Sequence, residues 1–319
     1  MSADPPAVTV TAADPPADVA RPWRLSDLLG ELLDEAEAQH TALESGVPLG
    51  PVTGLPKLDR ELAGRLVPGY HVLTGNTASG KTALALQVAA SCGCPCVYVS
   101  CEMAAVELLR RVISRTAGVF LGKLKTGEYT RDEFAAFGWA AVKAAPMLTL
   151  LDATRAYAPV SQVQALAEDV RAEHNAAHVL VVVDSLHAWA AGRPAPEYGT
   201  APSEYEALNT AVAEVQRMAA NLRAPVLLLS ERNRGSAESG GVNAAAGSRK
   251  IEYGGETLLG LHRKTEKNPD DPTGKTYRPV QFDGAGEAPS YLLIEKNRHG
   301  GGGRVELKFC GRLQRFREV

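Results

Sequence analysis

The run GNTASGKT, residues 75–82, sets two glycines, a lysine and a threonine at the spacing G-x-x-x-x-G-K-[S/T]. Gly75 and Gly80 permit a tight backbone turn. The N–H groups of such a loop, Asn76, Thr77, Ala78 and Ser79 included, point inward and bind phosphate oxygens with help from the following helix N-terminus. Lys81 then reaches the β- and γ-phosphates and the Thr82 hydroxyl ligates Mg²⁺. Two carboxylates complete the possible chemistry. Asp184 closes the strand-like VLVVVD (179–184), where it can hold a magnesium shell through water or cap a turn before SLHAW; the phosphate loop favours the metal role. Glu102 ends YVSCEM (98–103). It can orient and deprotonate the water that attacks a γ-phosphate, or serve as a first-turn acid of the next helix with Ser100 as cap. The local residues leave both open.

These groups need strands to present them. After Gly54 the pattern alternates strands, near Tyr70–Thr74, Val97–Ser100, Leu148–Leu151, His178–Asp184 and Pro225–Ser230, with helices over 80–92, 104–117, 131–144, 161–174 and 204–222. The phosphate-loop run follows a strand and opens a helix, the context its chemistry requires. Continuous Val/Leu strands alternating with helices predict a mostly parallel sheet covered on both faces. Later strands near 254–261, 289–296 and 304–310, spaced by Gly-rich turns, predict an antiparallel extension.

The chain's 319 residues are 45% hydrophobic and 22% charged, with a net charge of −3. That suits one large α/β domain or two small ones and argues against wholesale coating of nucleic acid, though not against a local basic groove. No apolar run is long enough to span a membrane and no basic-then-apolar leader opens the chain, so a cytoplasmic location is expected. Residues 1–25 are read as a Pro/Ala-rich disordered tail, with ADPPA occurring twice,. Residues 26–52 are a linker helix and loop: Ser26 is the expected cap, Leu28, Leu29, Leu32, Leu33 and Ala36 form an apolar stripe, and a Gly/Pro-rich break follows. Residues 53–319 form the main domain. Cys92, Cys94, Cys96 and Cys101 crowd together, but C-x-C-x-C-x4-C is not a usual zinc spacing, so reduced packing thiols are favoured over a metal site.

Read in order, the motifs resemble the C-terminal ATPase domain of DnaB-type hexameric replicative helicases. The segments are TGLPKLDRELAGRLVPGYHVLTGNTASGKTALALQ (53–87), VSCEM (99–103), LKTGEYTRDEF (124–134), VVVDSL (181–186), PVLLLSERNR (225–234), GSRKIEYGGETLLGLHR (247–263) and IEKNRHG (294–300). The resemblance runs from about Ser26 to the C-terminus. It implies a RecA-like P-loop fold, ATP with Mg²⁺, a homo-oligomeric and hexameric ring, and single-stranded DNA as partner. It also assigns Glu102 as catalytic base, Asp184 to the magnesium site, and Lys296 and Arg298 to the neighbouring subunit's γ-phosphate. The 26–43 helix resembles the family's linker helix, which docks on the adjacent subunit.

Three departures qualify the expectation. Glu231 stands where the family has a glutamine that senses γ-phosphate, and an ionised carboxylate repels phosphate rather than donating to it. The loop 187–207 holds Arg193 as its single cation and ends in the acidic PSEYEA. The family's N-terminal domain, which recruits primase, has no counterpart in residues 1–25. DNA contact then falls to Arg232, Arg234, Arg249 and Lys250, with a second group of Arg263, Lys264, Lys267, Lys275 and Arg278. The expected function is ATP-driven translocation on single-stranded DNA or duplex unwinding, in an accessory replication or mobile-element setting. The alternative is a KaiC-like regulatory or assembly ATPase without helicase activity.

Overall fold

The computed structural model describes residues 22–195, 200–231, 251, 254–270 and 276–319. The chain divides into two compact units, Met1–Leu49 and Gly50–Val319. The first carries helix α1 (Leu25–Ser45), closed by Gly46 in the left-handed region at φ 68°,. Ser26 is not its cap. The helix starts one residue earlier, and the Asp27 carboxylate accepts both the Arg24 N–H at 3.4 Å and the Ser26 hydroxyl at 3.3 Å. A charged acceptor near a helix N-terminus outcompetes a hydroxyl there. Leu29, Leu32 and Leu33 of the apolar stripe are exposed.

In chain order the second unit contains α2 (Pro56–Glu61), β1 (Gly69–Gly75), α3 (Lys81–Ser91), β2 (Cys96–Ser100), α4 (Ala105–Ala117), α5 (Arg131–Ala144) and β3 (Leu148–Asp152). It continues with α6 (Val160–Glu173), β4 (Leu180–Asp184), α7 (Leu186–Ala191), α8 (Glu204–Leu222), β5 (Pro225–Glu231) and β6 (Thr257–Arg263). The last strands are β7 (Thr265–Lys267), β8 (Tyr277–Pro279), β9 (Glu287–Asn297), β10 (Gly303–Cys310) and β11 (Arg315–Glu318). One nine-stranded sheet runs β11-β10-β9-β6-β1-β5-β4-β2-β3, and β7 pairs with β8 in a separate hairpin.

The first of the late strands departs from the sequence expectation. β6 pairs parallel to β1, and the antiparallel extension begins only at β9. Its composition, TLLGLHR, is buried at five of seven positions, as a strand covered on both faces should be. By contrast β9 alternates half-buried and buried positions, the pattern of a strand with one face toward water. Within the parallel strands the two-residue period divides the core. Cys96, Tyr98, Leu180, Val182, Leu227 and Leu229 pack in the layer with α3 and α4. Val97, Val99, Val181, Val183, Val226 and Leu228 pack in the layer with α6, α7 and α8. Among the described residues no helix is long and apolar enough to cross a membrane.

Cys92 and Cys94 are buried free thiols 3.8 Å apart, Cys92 donating to the carbonyls of Ala89 at 3.4 Å and Cys94 at 3.2 Å; Cys96 is buried beside them. Among the described residues, no three His, Cys, Asp or Glu side chains are grouped to hold a metal ion.

His71 is a buried polar residue with both ring nitrogens engaged, Nδ1 with Thr257 Oγ1 at 2.9 Å and Nε2 with the Val67 carbonyl at 2.9 Å. Burial pulls its pKa down to about 4. The folded state therefore refuses a proton that the unfolded chain accepts below about pH 6.5. The contribution is fully present above pH 6.5, is lost as pH falls, and is gone near pH 4. It amounts to about 3 kcal/mol. Urea unfolding at about pH 7 and about pH 4.5 should show a drop in stability that is smaller by about 2–3 kcal/mol in His71→Asn; equal drops in both proteins would refute it.

Candidate functional site

The C-terminal ends of β1, β2, β4 and β5 converge around the 75–82 loop. Gly75 ends β1, where an added Cβ would stand 2.7 Å from Ser79 Oγ and 2.8 Å from the Leu261 carbonyl. Gly80 has φ 98°, and a Cβ there would meet the Phe316 ring at 2.9 Å. Glycine is thus required at both positions, once for space and once for space and backbone conformation. α3 opens directly at Lys81. The Lys81 ammonium donates to the carbonyls of Gly75 at 2.8 Å and Asn76 at 3.2 Å. Burial lowers its pKa, while Glu231, Asp184 and Glu102 pull the other way. Three carboxylates from three strand ends therefore face one lysine. Ser79 Oγ is buried in the loop without a hydrogen-bond partner.

Asp184 is buried at the end of β4 and accepts the Tyr98 hydroxyl at 2.7 Å. Burial raises its pKa; hydrogen bonds from Tyr98 and Thr82 and the charge of Lys81 oppose this, and Glu102 adds to it. Thr82 and Asp184, expected to share a metal from sequence, thus lie near each other. Tyr98 was not singled out by sequence reasoning. The available signal was a phenol inside an otherwise apolar strand, since a buried Tyr hydroxyl needs a partner.

Glu102 is exposed beyond the end of β2, and its Oε1 accepts the Ser185 hydroxyl. Ser185 caps α7, its side chain accepting the Ala188 N–H at 3.4 Å. The helix-start alternative for Glu102 does not describe the structure. α4 begins at Ala105, whose N–H is taken by Asp152 at 2.9 Å; Glu107 is its first-turn acid, and Ser100 Oγ is engaged with the Met103 carbonyl at 2.5 Å. The first N–H of α4 is thus taken by another side chain, and Glu102 instead faces Ser185 and lies near the loop lysine. Asp152 and Ser185 also escaped the sequence reading, because one sits on a strand edge and the other becomes a bridge only when β2 and β4 pair, Ser100 opposite Asp184.

This strand-end geometry sits inside a family match. The description DnaB-like helicase C-terminal domain fits residues 50–318. The chain belongs to that family. The replicative DNA helicase DnaB of Treponema pallidum is 27% identical over 308 residues, covering 92% of this chain and 61% of that protein. The chain therefore spans less than two thirds of that relative's length. A solved DnaB-like replicative helicase, described with its interactions with primase, superposes with a TM-score of 0.71 at 19% identity, over 94% of this chain and 68% of its own. A KaiC-like protein from Pyrococcus horikoshii superposes less well, with a TM-score of 0.53 at 16% identity over 85% of this chain and all of its own. The RecA-like expectation for the fold holds.

In this DnaB-like domain Lys296 and Arg298 are not part of their own chain's loop site. Lys296 pairs with Leu258, itself opposite Val72, and Arg298 N–H bonds the Glu256 carbonyl beside Tyr70. Strand geometry places them about 10–17 Å from Gly75 along the strand direction and two strands across. Both have partners: Lys296 Nζ donates to the Gly255 carbonyl at 2.6 Å and Arg298 meets Glu256 at 3.4 Å. Glu231 pairs in register with Gly75 and is exposed at the loop.

The DNA candidates Arg232, Arg234, Arg249 and Lys250 lie outside the described residues, as does Lys275. Of the second basic group, Arg263 donates to the Val280 carbonyl at 2.9 Å, Lys264 pairs with Glu306 at 2.8 Å, and Arg278 pairs with Glu266 at 3.0 Å. The acidic PSEYEA has a local explanation. Ser203 and Glu206 form a capping box on α8, with Ser203 N–H donating to the Glu206 carboxylate at 2.9 Å and Glu206 N–H to Ser203 Oγ at 3.3 Å,. Arg193, that loop's cation, is paired to Glu214 at 2.9 Å.

Proposed function

We propose that this chain is the ATP-hydrolysing motor of a homo-oligomeric, hexameric ring that moves along single-stranded DNA. The observation that carries the reading is a divided site: Lys81, Thr82, Glu102 and Asp184 meet at one end of the sheet, while Lys296 and Arg298 stand at the other. A site completed by a second subunit's cations needs this separation, and head-to-tail contacts of that kind make rings when their rotation closes.

Each residue then has a task. The loop amides and Lys81 hold the β- and γ-phosphates. Ser79 Oγ, a buried donor without a partner, suits a phosphate oxygen. Thr82 and Asp184 would hold Mg²⁺; hydroxyl and carboxylate oxygens are the hard donors that ion takes. When bound, the ion neutralises charge on the phosphates. Glu102, oriented by the Ser185 hydroxyl, takes the proton from the attacking water. Lys296 and Arg298 of the next subunit stabilise the charge that builds on the γ-phosphate. Glu231 occupies the sensor position at the β5 end. Ionised, it attracts Lys81 and opposes phosphate, so coupling through this residue requires it to turn away or take up a proton.

A second reading, a regulatory or assembly ATPase without unwinding, is favoured by Glu231 and by the pairing of Arg193. ATP turnover measured with and without single-stranded DNA at low salt, on protein sized in solution, separates them. Stimulation in a ring-sized species is the expected result. A ring that hydrolyses ATP at a rate indifferent to single strands would leave the second reading.

A further inference from the structure

We infer that Glu256 is a positioning residue for the trans-acting arginine: its carboxylate, with His299 as a second partner, holds Arg298 in the orientation that the neighbouring site needs. The inference rests on the divided-site reading above.

Glu256 immediately precedes β6, and its N–H donates to the Tyr70 carbonyl at 2.8 Å, extending the β1–β6 pairing by one residue. Its side chain is only 18% exposed. The two carboxylate oxygens are divided between two partners from the β9–β10 turn. Oε1 meets Arg298 Nη1 at 3.4 Å and Oε2 meets His299 Nε2 at 2.9 Å. The Glu256 backbone also accepts from the Arg298 N–H at 3.0 Å, and the adjacent Gly255 carbonyl accepts from Lys296 at 2.6 Å. Two consecutive residues thus engage three side chains at the end of β9 and in the turn after it, Lys296, Arg298 and His299.

The path of the Glu256 side chain is defended by its surroundings. Gly69 stands beside it at φ 129°, and a Cβ on Gly69 would lie 2.6 Å from Glu256 Cγ. The turn is tied down independently, because Asn297 Nδ2 donates to the Glu61 carbonyl at 2.8 Å and Asn297 Oδ1 accepts the His299 N–H at 3.0 Å. An ordinary surface ion pair has neither a rigid base nor two partners, and such pairs contribute little. Here the carboxylate rises from a strand that also runs beside the phosphate loop, Leu261 opposite Gly75. One β1–β6 bar therefore carries the subunit's own loop at one end and the cations it offers its neighbour at the other. A freely rotating Arg298 would spend most of its time away from a γ-phosphate, and loss of such orientation lowers turnover rather than binding.

The test is steady-state and single-turnover ATP hydrolysis by the full chain in its assembled form. Glu256→Gln keeps the size and removes the charge. It should lower kcat by about 10- to 100-fold, with KM for ATP and melting temperature little changed, and Glu256→Asp should recover part of the loss. In an Arg298→Ala background the Glu256→Gln change should cost no more than about twofold. The inference is overturned if Glu256→Gln turns over normally while Arg298→Ala is slow, or if the two losses multiply. Should Glu256→Gln not fold, the Glu256→Asp cycle with Arg298→Ala gives the same decision. If Arg298→Ala itself turns over normally, the divided-site reading fails and this inference falls with it.

Discussion

Arg298→Ala is expected to slow ATP turnover by about 10³–10⁵-fold while leaving nucleotide binding nearly intact. Binding is assigned to the 75–82 loop, which Arg298 does not approach in its own chain. On the proposed reading its contribution is to the charge that develops on the γ-phosphate of the next subunit, an interaction stronger in the transition state than in the ground state. Such a loss appears in kcat. The trans geometry makes a further, sharper expectation. In rings that mix Arg298→Ala with Glu102→Gln subunits, a working site forms only where an intact Glu102 faces an intact Arg298. Activity should therefore reappear in mixtures of two inactive proteins, in proportion to the frequency of that pairing. Mixtures that stay inactive, with subunit exchange verified, would place Arg298 outside the neighbour's site. Monomers that hydrolyse ATP at full rate on dilution would do the same.

Glu102→Gln is the second large effect, a fall of about 10²–10⁴-fold in turnover with ATP retained. The glutamine keeps the hydrogen bond from Ser185 but has no basicity, so water is oriented and not deprotonated. Filter binding should show nucleotide held unhydrolysed on the assembled protein. Loss of binding along with turnover would mean that Glu102 serves the loop's charge balance around Lys81. Undiminished turnover would assign the base elsewhere, to another carboxylate such as Glu231.

Much of this arrangement was legible in the residues. The phosphate loop followed from G-x-x-x-x-G-K-T between a strand and a helix, and β4 from an unbroken apolar run ending in Asp184. Where the reading stopped is equally specific. For Glu102, an acid shortly after a strand and before a helix has two ordinary uses. Only the three-dimensional structure shows that the helix begins at Ala105 and that Asp152 already takes its first N–H. Tyr98 and Ser185 belong to the site because β2 lies beside β4, a pairing between residues over eighty positions apart. The β6 direction was missed because a short strand between Gly-rich turns carries no sign of whether its partner runs with it or against it.

The chain's sequence by itself determined the main strand–helix alternation and the strand–loop–helix context of the 75–82 run, because periodicity and the loop's glycine spacing are local properties. Tertiary structure alone decided that Glu102, Asp184 and Glu231 gather near Lys81, that Lys296 and Arg298 stand away from the loop, and that Glu256 meets Arg298. Those facts depend on strand order and register, which long-range packing sets and no short window of sequence encodes.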